Sequence, residues 1–250
     1  MNRDEIRETR EFWDSVAEDW RIQVGDDGDS NRRLNSDPVL WAFAGDVRGR
    51  KVLDAGSGTG YLSRQMLQRG AMVRGVDFSA RMIAIAQAHY PEIDFRVDSC
   101  SELGTVADGE VDLIVSNYVL MDTPDLEGTA RAFYRVLRAG GEAVLVFSHP
   151  CFPQGMAASG KGDAVKYGWR HSYFERRKMV DAPWGHFKSH FIWFHRPLSE
   201  YFKAFRGAGF AVEDFEEPRI SEERYHLAEN EKRLRNNRIR PYSVVFRLKK

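Results

Sequence analysis

The strongest chemical signal in the sequence is a glycine-rich turn next to acidic residues. The stretch V-L-D-A-G-S-G-T-G at 52–60 ends a short apolar run and precedes a helical pattern. Glycines let the backbone turn tightly and approach a ligand, and the following helix presents free N–H groups to it. Asp77 ends the next apolar run, 23 residues after Asp54. That spacing suits a carboxylate that binds ribose hydroxyls.

The spacing of the glycines separates two classes of ligand. A dinucleotide site uses G-x-G-x-x-G to hold a pyrophosphate, whereas this chain has G-x-G-x-G with Asp54 just before it. A carboxylate there would repel a pyrophosphate and would suit a ligand with a positive charge and an ammonium group. The pattern therefore disfavours a nicotinamide-dependent oxidoreductase.

The elements that must position these residues alternate along the chain. Helical patterns at 61–69, 79–90 and 129–139 separate short apolar runs. The runs predict strands at 51–54, 72–76, 95–97, 111–115 and 143–147. Such alternation implies a parallel sheet with helices on both faces, and ligands bind beyond the carboxyl ends of its strands. The polar residues that fall at or past these ends are Asp54, Asp77, Asp98, Asn117 and Ser148.

Together these segments resemble the class I S-adenosylmethionine-dependent methyltransferases, from about residue 10 onward. D-A-G-S-G-T-G (54–60) is similar to that family's first motif, and G-V-D-F-S (75–79) to its second. V-D-L-I-V-S-N-Y (111–118) matches its fourth strand, and L-R-A-G-G-E-A-V-L-V (137–146) the run into its fifth. The resemblance implies S-adenosylmethionine as cofactor and a Rossmann-like α/β fold with a seven-stranded, mostly parallel sheet between helices.

The resemblance also implies one methyltransferase domain over 1–250 with four parts. These are an N-terminal helical cap (1–49), a cofactor-binding core (50–148), an aromatic-rich lid insertion after strand five (149–197) and a C-terminal helix-strand-strand part (198–250). The last part is expected to contain elements at 197–208, 210–215 and 242–248.

The family's first two motifs carry roles for five residues. Gly56, Gly58 and Gly60 would shape the turn around the cofactor, and Asp54 would order it. Asp77 would bind the ribose hydroxyls. The alternative for Asp54 and the glycines is a tight turn with a capping carboxylate.

The remaining cofactor contacts implied by the resemblance follow the next three strand ends. Phe78 would pack on the adenine, and Asp98 would accept a hydrogen bond from its amine, assisted by the backbone at Ser99 or Cys100. The backbone near Asn117 would receive the methionine ammonium group. The alternative for Asp98 is a turn residue at the surface.

The segment after the fifth strand is rich in aromatic residues. We predict a lid that excludes water and confines the acceptor, with Tyr118, Phe152, Trp169 and Trp193 binding the acceptor. The alternative, compatible with the first, is a small satellite core beneath a long insertion. The aromatic residues between 151 and 197 are Phe152, Tyr167, Trp169, Tyr173, Phe174, Trp184, Phe187, Phe191, Trp193 and Phe194.

Two histidines are candidates for a general base. His149 follows the fifth strand, and His195 precedes the tail helix. The pKa of an unperturbed imidazole lies near neutrality, so either could take a proton, although a histidine in such a segment is more often structural. His149 is the first choice, because its strand end is expected to face the cofactor. The pair at 149 and 151, His-x-Cys, has no second pair with ligand spacing, so no metal site is predicted. Many relatives carry a histidine pair where this chain has L-M-D (120–122).

Two other segments have both a structural and a functional interpretation. Similar enzymes fold their N-terminal region across the methionine end of the cofactor, so Trp20 and Asn35 would touch ligand. Phe12 and Trp13 are expected to pack their helix on the domain. K-R-L-R-N-N-R-I-R (232–240) is either a solvated helix face or a patch for an anionic acceptor such as RNA.

Composition limits the classes of partner. Lys and Arg number 37, as do Asp and Glu, so the overall charge does not gather nucleic acid or anionic membranes. The charged N-terminus, the absence of apolar runs of roughly 18 residues and the two separated cysteines predict a cytoplasmic protein. We predict methyl transfer to a small molecule by in-line displacement. The alternatives are an RNA or protein methyltransferase and a non-catalytic S-adenosylmethionine-binding protein.

Overall fold

The protein is described here by a computed structural model covering residues 3–153, 157–159 and 164–250. Its helices are α1 (Arg3–Ser15), α2 (Ala17–Val24), a π-helical turn (Arg32–Ser36), α3 (Asp37–Ala44), α4 (Tyr61–Gln68), α5 (Ala80–His89), α6 (Leu126–Val136), α7 (Leu198–Ala208), a 3₁₀ helix (Glu222–Leu227) and α8 (Glu231–Ile239). Within those ranges, no helix combines the length and apolarity needed to cross a membrane.

The strands form one large sheet and two small pairs. They are β1 (Lys51–Ala55), β2 (Met72–Asp77), β3 (Asp94–Val97), β4 (Val111–Asn117), β5 (Leu137–Ser148), β6 (Ala157–Ser159), β7 (Val165–Tyr167), β8 (Arg177–Asp181), β9 (Phe191–His195), β10 (Ala211–Glu216) and β11 (Ser243–Lys249). The large sheet has the order β10-β11-β5-β4-β1-β2-β3. Its pairs are parallel except those of β11 with β5 and β10. The predicted seven-stranded, mostly parallel sheet is confirmed.

Strand order decides where a ligand can bind. The chain leaves β1 towards β2 on one side and later returns to place β4 on the other side of β1. In an open sheet the crevice at such a reversal, beyond the carboxyl ends, is where ligands bind. The turn after β1 and the loop after β4 therefore border the same space.

Alternating side chains along the strands build a hydrophobic core on each face of the sheet. In β4, Leu113 and Val115 pack in a cluster with α3 and α4, whereas Ile114 packs in a cluster with α6 and α7. All three side chains are fully buried. Strands covered by helices on both faces are near-continuously apolar for this reason.

The predicted start of α5 at Ser79 is confirmed, and it has a second structural role. The hydroxyl of Ser79 accepts a hydrogen bond from Met82 N at 3.1 Å, as an N-cap does. It also donates to Asp14 Oδ1 at 2.6 Å. The Ser79 side chain therefore links α1 to the start of α5.

The prediction of a helix over 129–139 is wrong at both ends. The helix begins at Leu126, where Asp125 Oδ1 accepts from Gly128 N at 2.8 Å, and it ends at Val136. Leu137 is already extended and pairs with Val111 in the sheet. The side chain of Lys250 donates to the carbonyl of Leu137 at 2.8 Å, a tertiary contact that a local sequence pattern does not contain.

The aromatic segment after β5 forms antiparallel pairs, β6 with β7 and β8 with β9. Strand β9 lies in the segment S-H-F-I-W-F-H at 189–195. Phe187 and Phe191 of the β8–β9 hairpin join a small cluster with Phe12 and Trp13 of α1. Phe194 N donates to the carbonyl of Met121 at 2.7 Å. The hairpin is therefore fastened both to the N-terminal helices and to the loop after β4.

A first prediction concerns Gly60, which has φ +90° at the start of α4. A Cβ there would lie 2.8 Å from Phe95 Cζ and 3.0 Å from Tyr90 Cδ2. We expect Gly60→Ala to lower the free energy of unfolding in urea by about 2–4 kcal/mol, because overpacking adds to the strain of a positive φ.

Gly49→Ala is the matched control for this prediction. Gly49 also has a positive φ, +72°, but an added Cβ would meet nothing within 4 Å. Its loss should be only about 1–2 kcal/mol, the strain of the backbone alone. Equal losses in the two variants would contradict the steric explanation.

Candidate active site

A pocket lies at the carboxyl ends of β1, β2 and β4, and we call it the strand-end pocket. Its floor is the turn 56–59, and Trp13 and Arg32 of the N-terminal region also line it. The residues of the sequence prediction that line it are Trp20, Gly56, Gly58, Asp77, Phe78, Ser99, Cys100, Asn117 and Tyr118. Of the residues predicted to contact or shape the cofactor site, Asn35, Asp54, Gly60 and Asp98 do not line it.

Asp77 joins the turn after β1 to the end of β2. Its Oδ2 accepts from Gly58 N at 3.0 Å, and its Oδ1 accepts from Ser79 N at 2.9 Å. Each carboxylate oxygen retains a lone pair. Burial raises the pKa of Asp77 to about 6. The group is thus fixed in direction and able to accept from ligand hydroxyls in the pocket.

Asp54 lies beneath the turn, with 2% of the residue exposed. Its Oδ2 accepts from the hydroxyl of Ser63 in α4 at 2.5 Å. Burial raises the pKa of Asp54 to about 7, and the nearby charge of Asp77 adds to the rise. These contacts connect β1 to α4, so Asp54 and Gly60 act on the shape of the turn from outside the pocket.

Asp98 organises the loop after β3. Its Oδ1 accepts from Ser99 N at 2.8 Å, and its Oδ2 accepts from Thr105 N at 2.7 Å and Thr105 Oγ1 at 2.6 Å. The loop so formed brings Ser99 and Cys100 to the pocket. Burial raises the pKa of the Cys100 thiol. A direct contact between Asp98 and an adenine amine remains a prediction.

Several buried polar atoms of this pocket have no partner among the described residues: Ser57 Oγ, Thr59 Oγ1 and Asn117 Oδ1. Asn117 Nδ2 donates to the hydroxyl of Tyr61 at 2.6 Å, which leaves its Oδ1 as an acceptor. A buried polar atom without a partner is costly. A ligand with an ammonium group and hydroxyls would satisfy these atoms, so the residues present fit S-adenosylmethionine.

Arg32 is a functional candidate that the sequence reasoning missed. It is buried, pairs with Asp29 Oδ2 at 2.7 Å, and lies 5.2 and 5.0 Å from the ring centres of Trp20 and Tyr118. Its Nε is buried without a partner in the described part of the chain. Asn35, favoured from the sequence, is buried but lines neither this pocket nor the cavity described next. A guanidinium in this place suits a ligand carboxylate.

A second space of about 710 Å³ adjoins the strand-end pocket, and we call it the acceptor cavity. Its walls include β9, α8 and the end of β5. Of the residues predicted to bind an acceptor, Tyr118 and Trp193 line it. Phe152 instead packs near His149, with ring centres 4.8 Å apart, and Trp169 packs against other rings of the insertion. The residues shared by both spaces are Trp13, Trp20, Arg32, Tyr118 and Asp122.

The two candidate histidines differ in their surroundings. His149 lines the acceptor cavity, but Nδ1 accepts from Cys151 N at 3.2 Å and Nε2 bonds Glu217 Oε1 at 2.6 Å. Burial lowers the pKa of His149. His195 bonds the carbonyl of Tyr173 at 2.9 Å and lines neither space. In the described ranges, no group of three or more His, Cys, Asp and Glu could hold a metal ion.

Asp122 is the second functional candidate that the sequence reasoning missed. It lies in the loop after β4 and lines both the strand-end pocket and the acceptor cavity. Burial raises its pKa well above the usual value, against the opposing effect of Arg32 and Arg196. The sequence signal was present in L-M-D at 120–122, but only the fold shows that the aspartate lies where the two spaces meet.

Comparison with known proteins agrees with this geometry. Residues 53–145 match the family described as methyltransferase domain. The chain is 33% identical over 165 residues to an arsenite methyltransferase of Aquipseudomonas alcaligenes, covering 54% of this chain and 47% of that protein. It is 35% identical over 103 residues to a ubiquinone biosynthesis O-methyltransferase of Pseudomonas aeruginosa, covering 40% and 44%. The chain thus spans less than half the length of these relatives.

Solved structures share the fold. An S-adenosylmethionine-dependent methyltransferase from Mesorhizobium loti superposes with a TM-score of 0.70 at 22% identity, covering 85% of this chain and 96% of that one. The 1,6-didemethyltoxoflavin-N1-methyltransferase of Burkholderia thailandensis, solved with 1,6-didemethyltoxoflavin and S-adenosylhomocysteine, gives 0.61 at 18% identity, covering 100% and 91%. At these identities the likeness establishes the fold.

A second prediction concerns the pH dependence of stability. The usual pKa of an aspartate side chain is 3.8, and burial raises the pKa of Asp54 to about 7 in the folded protein. Between these values the folded state binds the proton more tightly, so the contribution of Asp54 to stability falls as pH rises. Asp54→Asn, which retains an acceptor for Ser63, should therefore gain stability over wild type by about 2–3 kcal/mol from pH 5 to pH 8.

The test is urea unfolding of both proteins across that pH range. Asp94→Asn is the control, because ion pairs with Arg96 and Arg74 lower the pKa of Asp94, and its variant should show no such gain. A difference between Asp54→Asn and wild type that is the same at pH 5 and pH 8 would overturn the assignment.

Proposed function

Because this chain belongs to the class I S-adenosylmethionine-dependent methyltransferases, we propose that it transfers a methyl group to a small-molecule acceptor. The observation that carries the proposal is the meeting of the strand-end pocket with a separate cavity at Trp20, Arg32, Tyr118 and Asp122. A cofactor and an acceptor held in these two spaces would face each other across that junction. The names of the relatives, which include arsenite and ubiquinone-biosynthesis methyltransferases, support a small acceptor.

The strand-end pocket offers a partner for each part of the cofactor. Asp77 would accept from the ribose hydroxyls, and the loop at Ser99 and Cys100 would receive the adenine. Asn117 Oδ1 would accept from the ammonium group, and the Arg32 guanidinium would bind the carboxylate. The bound cofactor supplies a methyl group on a sulfonium sulfur. That sulfur leaves readily as a neutral thioether when the methyl group is transferred. The protein then has to align the acceptor and exclude water.

The β8–β9 hairpin is proposed to act as the aromatic lid. Trp193 and Phe191 of β9 line the acceptor cavity, and the hairpin is held by its aromatic cluster with α1. Rings around a sulfonium stabilise its charge by cation–π contact, and Trp20 and Tyr118 lie at the junction for this purpose. A long surface groove in place of this cavity would favour an RNA or protein acceptor.

A base is needed only if the acceptor must lose a proton. His149 and His195 remain the candidates from sequence, but both nitrogens of His149 are engaged within the protein. Asp122 lies at the junction itself, and the raised pKa makes its carboxylate a stronger base than an exposed one. We therefore place Asp122 ahead of the histidines as the group that faces the reacting atoms.

A third prediction tests the cofactor by calorimetric titration. S-adenosylmethionine should bind saturably and NAD should not. Asp77→Asn should weaken S-adenosylmethionine binding by about 10- to 100-fold, because charge-assisted hydrogen bonds are lost. Asp94→Asn, on the neighbouring strand β3 and outside the pocket, is the control. Binding of NAD alone would reject the proposed function, and an unchanged affinity in Asp77→Asn would reject the ribose assignment.

A fourth prediction separates the charge of the sulfonium from the rest of the cofactor. At a pH above the raised pKa of Asp122, Asp122→Asn should weaken the binding of S-adenosylmethionine by about 5- to 10-fold and that of S-adenosylhomocysteine by less than about 2-fold, since only the former is cationic at sulfur. The wild-type preference for the sulfonium should increase with pH as Asp122 ionises, and the variant should lose this trend.

Asp181→Asn is the matched control for the fourth prediction. Asp181 lines the acceptor cavity but not the strand-end pocket, so its variant should keep the preference. Equal weakening of both ligands by Asp122→Asn would show that Asp122 does not face the sulfonium. Binding of the cofactor without methyl uptake by any metabolite in a screen would favour the non-catalytic alternative.

A further inference from the structure

The acceptor cavity contains an excess of positive charge. Six basic and three acidic side chains line it among the described residues. The basic residues are Arg32, Arg170, Arg196, Lys232, Arg233 and Arg240, and the acidic ones are Asp29, Asp122 and Asp181. The chain as a whole has a formal net charge of zero. The excess is therefore local to this space.

Part of this charge is already balanced within the protein. Arg32 is paired with Asp29, and Arg196 donates to the backbone carbonyls of residues 120, 123 and 124. Burial also raises the pKa of Asp122 and Asp181, which weakens their negative charge. The positive charge that remains comes mainly from Arg170, Lys232 and Arg240, and Arg233 contributes a guanidinium that also contacts Glu229.

The α8 wall consists of Lys232 and Arg233 in the first turn of α8, Asn237 in its last turn, and Arg240 just beyond it. Arg233 pairs with Glu229 at 3.1 Å at the rim, whereas Lys232 has no ion pair recorded in the described ranges. Asn237 is 5% exposed, and its Nδ2 donor has no partner in those ranges. Burial and the charge of Arg233 lower the pKa of Arg240. These groups together form a site suited to a negatively charged ligand.

The lining of the same cavity also contains aromatic residues. Phe191 and Trp193 of β9 line it, as does Tyr242 near β11. Flat rings here suit an aromatic body, and the basic wall suits an anionic substituent on it. About 710 Å³ is ample for a molecule of two fused rings.

Resting on the proposed function, we infer that the methyl acceptor is an aromatic small molecule that carries an anionic group, held by Lys232, Arg233 and Asn237. The basic run at 232–240 divides between two faces of α8. Lys232, Arg233 and Arg240 line the cavity, whereas Arg235 and Arg238 do not. The three basic residues that line the cavity would contact a small anion held inside it.

The inference is tested with a matched pair of fluorescent probes. 8-Anilinonaphthalene-1-sulfonate is an aromatic anion, and N-phenyl-1-naphthylamine is its neutral counterpart without the sulfonate. Each is titrated into wild type and into Arg233→Gln, Arg233→Lys and Arg238→Gln. Arg238→Gln removes the same charge from the same helix outside the cavity. S-adenosylmethionine binding is measured on every protein by calorimetry.

We expect wild type to bind the sulfonate at least about 10-fold more tightly than the neutral probe. Arg233→Gln should weaken the binding of the sulfonate probe about 5- to 10-fold and leave the affinity for the neutral probe unchanged. Arg233→Lys should retain most of the affinity, and Arg238→Gln should match wild type.

Three results would overturn the inference: no saturable binding of the sulfonate, equal affinity for both probes, or equal effects of Arg233→Gln and Arg238→Gln. The calorimetric measurement distinguishes failure of the acceptor inference from failure of the proposed function. Loss of probe discrimination with normal S-adenosylmethionine binding rejects the acceptor class alone, whereas wild type that fails to bind S-adenosylmethionine rejects the proposed function.

Discussion

The hydrogen bonds of Asp77 are the interaction on which the site depends. One carboxylate joins the turn after β1, through Gly58 N, to the start of α5, through Ser79 N. Ser79 in turn fastens α1 through Asp14. A single buried group thus connects the glycine turn, the second strand and the N-terminal helix. Its burial raises its pKa, and the cost of keeping it charged is offset when ligand hydroxyls add hydrogen bonds.

The junction between the two spaces is assembled from segments far apart in the chain. Arg32 comes from the π-helical turn, Tyr118 and Asp122 from the loop after β4, and Trp20 from α2. The guanidinium lies between rings and carries one carboxylate partner. Such an arrangement holds an arginine rigidly while leaving donor capacity for a ligand. Preorganisation of this kind is what transfer from an activated methyl donor requires of a protein.

The insertion after β5 both packs on the N-terminal helices and borders the acceptor cavity. Phe187 and Phe191 form a satellite core with α1, and Trp193 of the same hairpin faces the acceptor cavity. Phe191 contributes to both, because it packs against α1 and also borders the acceptor cavity beside Trp193. The hydrogen bond from Phe194 N to Met121 fixes the hairpin to the loop that carries Asp122. The position of the hairpin and the position of the Asp122 loop are therefore linked.

The sequence by itself determined the sheet and the cofactor end of the site, because those features depend on local patterns. Strand-length apolar runs, the glycine turn and Asp77 at a strand end each follow from a few neighbouring residues. The tertiary structure alone decided where α6 ends, since Lys250 contacts it from the far end of the chain. It also turned Phe152 and Trp169 away from the acceptor cavity and brought Arg32, Asp122 and the α8 wall to it. Contacts between residues so distant in sequence leave no local periodicity, so no reading of the sequence alone contains them.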